Sequence, residues 1–122
     1  MHILLVDDHE KVRVNIYQAL IEQGHTVTQA DNGLCALSYF KKEQFDAIIA
    51  DYKMPIMDGL KLCENILSEY DFSSDNIIVL STEVNEHFKA KANKLKLEWL
   101  SKPIDIDVLL EKLAELSPSQ AA

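Results

Sequence analysis

The feature that most constrains this chain is a regular alternation of short apolar runs with longer amphipathic stretches. Five runs have strand length: "ILLV" (3–6), "TVTQA" (26–30), "AIIA" (47–50), "IIVLS" (77–81) and "EWLS" (98–101). Between them apolar residues recur at steps of three and four, the period of a helix. These are Val12, Ile16 and Leu20; Leu37 and Phe40; Cys63, Ile66, Leu67 and Tyr70; Val84, Phe88, Ala92 and Leu95; then Ile106, Leu109, Leu110, Leu113 and Leu116. Continuous apolar strands in the first, third and fourth positions imply a parallel sheet covered by helices on both faces, a doubly wound α/β fold. Gly24 and Gly33 suit a helix end and a turn. Asp58-Gly59 is expected to open the third helix, where a carboxylate meets the positive end of the dipole.

With 122 residues, the chain is sized for one domain, taken as residues 1–122. The last residues, "LSPSQAA", read as a fraying tail. A net charge of -8 opposes binding to nucleic acid or an anionic membrane, both of which demand a basic patch. Cys35 and Cys63 have no metal-type spacing and read as two partly buried thiols in a reducing compartment. "MHILLVDD" is too short an apolar run for a leader or a membrane span, so a cytoplasmic location is expected.

In an open parallel sheet, ligands bind beyond the carboxyl ends of the strands. The first strand delivers Asp7 and Asp8 there, the third Asp51, the fourth Ser81 and Thr82, and the fifth Lys102; Ala30 and Asp31 arrive less directly from the second. Carboxylates gathered on one edge disfavour joint ionisation unless a cation intervenes. All-oxygen donors suit Mg²⁺, a lysine suits a phosphoryl oxygen, and a hydroxyl can donate to another. That set fits phosphoryl transfer to a carboxylate. Asp51 stands alone at a central strand end and is the candidate nucleophile, whereas the adjacent Asp7 and Asp8 have the look of metal ligands.

"LLVDDHE", "IIADYKMPIMDG", "IIVLST" and "LSKPI" resemble, in order and spacing, the motifs of bacterial response-regulator receiver domains, and the likeness spans essentially the whole chain. The resemblance implies a flavodoxin-like, three-layer αβα fold with strand order 2-1-3-4-5. It implies that Asp51 accepts a phosphoryl group from the phosphohistidine of a histidine kinase or phosphotransfer protein. Mg²⁺, or Mn²⁺ in its place, would be held by Asp8, Asp51 and the backbone carbonyl of Lys53, with Asp7 supporting through water. Ser81 would contact the phosphoryl group and Lys102 would pair with it, aimed inward by a cis Lys102-Pro103 bond.

The same resemblance makes the chain a phosphorylation-controlled switch that catalyses only its own phosphoryl transfer and hydrolysis. Ser81 and Trp99 would act as switch residues, with the fourth helix, fifth strand and fifth helix presenting the output face to a protein target or a second copy. Lys53 and Glu83, each two residues past a site residue, are expected to form an ion pair across the site mouth and slow hydrolysis. "NKLKLEW" (93–99) lacks the small residues that often end the fourth helix and places Leu95 where a left-handed glycine would be easy. His2, His9, His25 and His87 share no ligand spacing and are assigned to the surface without a role. Two alternatives are a pseudo-receiver that only binds partners and an aspartyl-nucleophile phosphatase. The second lacks a cap and has Lys53 where its general acid would stand.

Overall fold

The structure, a computed structural model, describes residues 1–116; the tail expected to fray lies, beyond Leu116, outside them. Strands β1 (His2–Val6), β2 (Thr26–Ala30), β3 (Ala47–Asp51), β4 (Ile77–Ser81) and β5 (Glu98–Ser101) form one parallel sheet in the order β2-β1-β3-β4-β5. Helices α1 (Glu10–Glu22), α2 (Gly33–Lys42), α3 (Gly59–Glu69), α4 (Glu86–Lys94) and α5 (Ile106–Ala114) alternate with the strands, and a 3₁₀ turn at Ser74–Asn76 leads into β4.

Alternating residues of the strands divide the core into two layers. Ile3, Leu5, Ile49 and Leu80 face Ile16 and Leu20 of α1 and Leu109 and Leu113 of α5. Leu4, Val6, Ile48 and Val79 face Ala36, Leu62, Ile66, Phe88 and Ala92 of α2, α3 and α4. Both faces of β1, β3 and β4 are therefore dry, which explains their unbroken apolar runs. The strand order and the three layers are those the family resemblance implied.

Several local expectations shift. Val12 is 37% exposed, because α1 carries apolar residues around much of its circumference and the sheet takes only Ile16 and Leu20 fully. Val84 precedes α4, whose N-cap is Asn85, with its side chain accepting from the Phe88 N–H. Gly33 is the first residue of α2 after the Asn32 cap, not a turn residue, and a Cβ there would meet the Met57 sulfur at 2.8 Å. Cys35 is exposed, while burial pushes the Cys63 thiol up to about 12, so the two cysteines are not alike.

Two helices end in the same way with different residues. After α1, the Gly24 N–H donates to the Ile21 carbonyl and the His25 N–H to that of Leu20, with Gly24 at φ 87. After α4, the Lys96 N–H donates to Asn93 and the Leu97 N–H to Ala92. Both are Schellman closures, and the left-handed residue of the second is Lys96, φ 59, not Leu95, which keeps a right-handed conformation. A side chain there costs on the order of 1 kcal/mol relative to glycine, offset by packing of Leu97 beside Ala92 in the core.

Candidate functional site

The carboxyl edge of the sheet is assembled by the strands' own hydrogen bonds. The Asp7 N–H donates to the Ala30 carbonyl at 3.1 Å as β1 ends, and the Tyr52 N–H donates to Leu80 at 2.8 Å just beyond β3. The Lys102 N–H donates to the Ser81 carbonyl at 2.8 Å past β5. Gly59 brings the start of α3 against this edge: its N–H reaches the Tyr52 carbonyl at 2.8 Å, and a Cβ would fall inside the envelope of the Asp51 carbonyl oxygen. Only glycine permits that approach. Asp58 caps α3 by accepting from the Lys61 N–H, as the Asp-Gly pair suggested.

Asp51 is 3% exposed, and its Oδ1 lies 2.8 Å from the Lys102 ammonium. The same ammonium lies 3.0 Å from Asp7 Oδ2. Lys102 thus sits between two buried carboxylates, and the Lys102-Pro103 peptide is cis. Arg13 of α1 anchors the Asp7 carbonyl oxygen at 2.8 Å and Gln29 at 3.0 Å, a supporting contact that sequence reasoning missed.

The charges do not balance. Burial pushes the Asp51 carboxyl up, the hydrogen bond from Lys102 pulls it back, and the charges of Asp7 and Asp8 raise it further, leaving it above its ordinary value. Burial pushes Lys102 down, but its hydrogen bonds to Asp51 and Asp7 and their charges outweigh this and hold it above its ordinary value. Asp51 Oδ2 is buried with no hydrogen-bond partner. Asp7, Asp8, His9 and Asp51 each present a donor atom within 4.8 Å of the others. Three carboxylates against one lysine, with a buried oxygen unanswered, fit a divalent cation.

His9 corrects the sequence reading. Its side chain is largely exposed, as expected, but Nδ1 lies 3.1 Å from Asp8 Oδ1 and 3.4 Å from Asp7 Oδ1, so it belongs to the cluster. The signal available was its position directly after the Asp7-Asp8 pair. The backbone explains the placement: the His9 N–H donates to Asp7 Oδ1 at 2.8 Å, which turns the chain into α1.

Ser81 is buried at the end of β4, yet its hydroxyl donates to the Glu83 carbonyl at 2.7 Å and accepts from the Glu83 N–H at 3.0 Å. As it stands it serves a local turn rather than Asp51. Lys53 and Glu83 form the expected ion pair, 3.3 Å apart, with both side chains well exposed. Trp99 is half-buried and edge-on to Phe88 at 5.7 Å; Phe88 in turn lies 4.9 Å from Tyr52, the residue after Asp51. An aromatic row therefore runs from the site to β5.

Pro55 begins a tight turn in the loop after β3: its carbonyl accepts from the Met57 N–H at 2.7 Å, enclosing Ile56 at φ 70. This is a γ-turn with a β-branched residue in the left-handed region, and Ile56 is 95% exposed. On the other side of the site, a cleft of about 710 Å³ opens beside Lys102, lined by His9, Val12, Asn15, Thr82 and Ile104. No helix among the described residues is long and apolar enough to cross a membrane.

The response regulator receiver domain family matches residues 3–114. Among curated proteins, the chain is 31% identical to the chemotaxis protein CheY-3 of Vibrio cholerae, across 95% of this chain and 91% of that one. It is equally 31% identical to sporulation initiation phosphotransferase F of Bacillus subtilis, across 95% and 93%. Among solved structures, Vibrio cholerae chemotaxis protein CheY4 superposes with a TM-score of 0.84 at 31% identity, covering 95% of this chain and 98% of that one. A signal receiver domain of an HD domain-containing protein from Pseudomonas fluorescens reaches 0.86 at 31% identity, covering 94% and 92%.

Proposed function

The chain belongs to the response regulator receiver domain family, and on that premise we propose that Asp51 is the residue that accepts the phosphoryl group. The family's role is phosphoacceptance in two-component signalling; the alternatives of an inert scaffold and a small-molecule phosphatase are not favoured by these relatives. The observation that carries the assignment is the contact of Lys102 with Asp51 Oδ1 inside a cluster of three carboxylates.

A carboxylate oxygen of Asp51 attacks the phosphorus of a phosphohistidine as the phosphorus–nitrogen bond breaks, and the donor imidazole leaves with the electron pair. The product is an acyl phosphate on Asp51. Lys102, already within reach, shifts its charge onto a phosphoryl oxygen, while Asp7 keeps it oriented through the 3.0 Å contact. Mg²⁺, or Mn²⁺, would be held by Asp8, Asp51 and the Lys53 carbonyl with Asp7 behind, and would neutralise the charge gathered on the phosphoryl oxygens.

Switching follows from what Ser81 must give up. Its hydroxyl leaves the Glu83 backbone to donate to the new oxyanion, and that turn, which leads to α4, moves with it. Trp99, packed on Phe88 of α4, carries the change to the α4–β5–α5 face, where a protein target or a second copy is engaged. The donor, a histidine kinase or phosphotransfer protein, approaches the cleft beside Lys102, where exposed Val12 and half-buried Ile104 offer apolar contact. The test is transfer from a ³²P-phosphohistidine donor: label should pass to the chain and not to Asp51→Asn. Label on Asp51→Asn would refute the assignment.

A further inference from the structure

We infer that His9 makes the acidic cluster a site for a first-row transition cation that favours imidazole, Zn²⁺ above all, in competition with Mg²⁺. The inference rests on the proposed cation site of Asp8 and Asp51, and adds a nitrogen ligand that Mg²⁺ has no use for. Oxygen donors alone suit Mg²⁺; an imidazole beside carboxylates suits zinc and its neighbours, and affinity along the first row rises towards copper and zinc.

The separation of His9 from Asp8 has the value that a shared metal requires, and Asp51 presents an oxygen within 4.8 Å of both. Two ligands about 2.1 Å from one ion lie about 3.0 Å apart at a right angle and about 3.4 Å apart at the tetrahedral angle. His9 Nδ1 lies 3.1 Å from Asp8 Oδ1 and 3.4 Å from Asp7 Oδ1. Asp7 is already committed, Oδ1 to the His9 N–H at 2.8 Å and Oδ2 to Lys102 at 3.0 Å. The donors left are Asp8, His9 and Asp51, two carboxylates and an imidazole, the ligand count of a zinc site with an open position.

An independent observation points to a ligand here. Asp51 Oδ2 is buried and unpartnered, in a side chain 4% exposed whose donor atoms converge with those of Asp8 and His9. Beyond its contacts with Asp7 and Asp8, the His9 ring takes no part in starting α1. His9 is the N-cap of α1, yet its side chain makes no capping bond. Its removal costs the helix nothing of that kind. A bound Zn²⁺ would take the place of Mg²⁺ at Asp8 and Asp51 with His9 as an added ligand, making occupancy of the site responsive to zinc.

The test is calorimetric titration of the full chain with ZnCl₂, with and without saturating Mg²⁺, counting only the Zn²⁺ binding that Mg²⁺ suppresses. His9→Ala should lower that affinity about tenfold or more and leave Mg²⁺ affinity within about twofold. X-ray absorption of the zinc-loaded chain should show imidazole scattering that His9→Ala lacks. Unchanged or tighter Zn²⁺ binding by His9→Ala would overturn the inference, since His9 would then be only an imidazolium paired with Asp8. Asp8→Asn separates the two levels: Mg²⁺ binding that survives it removes the underlying cation site, and this inference with it.

Discussion

The Lys102 ammonium is 2.8 Å from Asp51 Oδ1 and reaches it from the far edge strand of the sheet, across β4. The contact answers half of a buried carboxylate and leaves Oδ2 with nothing. Stability and chemistry are therefore coupled at Asp51.

Without a divalent cation, Asp51 is a burden on the fold. Its carboxyl is held above the ordinary value of 3.8, so the folded state favours the protonated form. Stability associated with this group is fully present below pH 3.8 and is lost as pH rises through the elevated folded value. Asp51→Asn is expected to raise the melting temperature at pH 7, with the gain shrinking as pH falls towards 3.8. Mg²⁺ at tenfold its Kd should then stabilise the native chain by about 1.4 kcal/mol and the variant by none. Thermal melts at several pH values, with Mg²⁺ and with EDTA, check both signs.

Gly59 sets the distance between α3 and Asp51. Gly59→Ala places a methyl group against the Asp51 backbone, and neither a main chain nor a buried strand can yield cheaply. A loss of about 2 kcal/mol or more in urea unfolding is expected, along with slower phosphorylation of the folded fraction.

Much of this was legible in the chain. The unbroken runs at 3–6, 47–50 and 77–81 could only be strands buried on both faces, and the polar residues after them had to meet at one edge. Lys53 and Glu83 were readable too, because both lie a fixed two residues past neighbouring strand ends. What failed was phase and direction. In α1 the apolar residues surround the helix, so periodicity alone could not tell exposed Val12 from buried Ile16. The left turn at Lys96 depends on Leu97 reaching the core, which Leu95's position does not reveal. His9 has no ligand spacing to the other histidines, and its partners are instead the two preceding aspartates. Ile56 at φ 70 had no signal, since a β-branched residue is among the last expected in that region.

The Lys53–Glu83 pair should matter to lifetime and not to stability. With side chains 62% and 47% exposed, its loss should change unfolding free energy by less than about 0.5 kcal/mol. Lys53→Ala and Glu83→Ala are each expected to shorten the half-life of the acyl phosphate, and the double variant should add little. Decay of label in a chase measures this; an unchanged half-life in both singles removes the pair from the account.

Ser81 should separate phosphorylation from its consequence. Ser81→Ala keeps Asp51, Lys102 and the carboxylates but cannot transfer its hydroxyl from Glu83 to the phosphoryl group. Trp99 is the chain's one tryptophan and packs on Phe88, so its fluorescence reports the switch directly. Phosphorylation is expected to change that fluorescence in the native chain and much less in Ser81→Ala at equal occupancy.

The central claim is that Asp51 is the phosphoryl acceptor in a cation-dependent reaction. Intact-mass spectrometry after incubation with acetyl phosphate and Mg²⁺ tests it most directly. The account expects one alkali-labile phosphoryl adduct on the native chain, mapped to Asp51, absent with EDTA and absent from Asp51→Asn. An adduct of the same yield on Asp51→Asn, or none on the native chain with Mg²⁺ present, would contradict it.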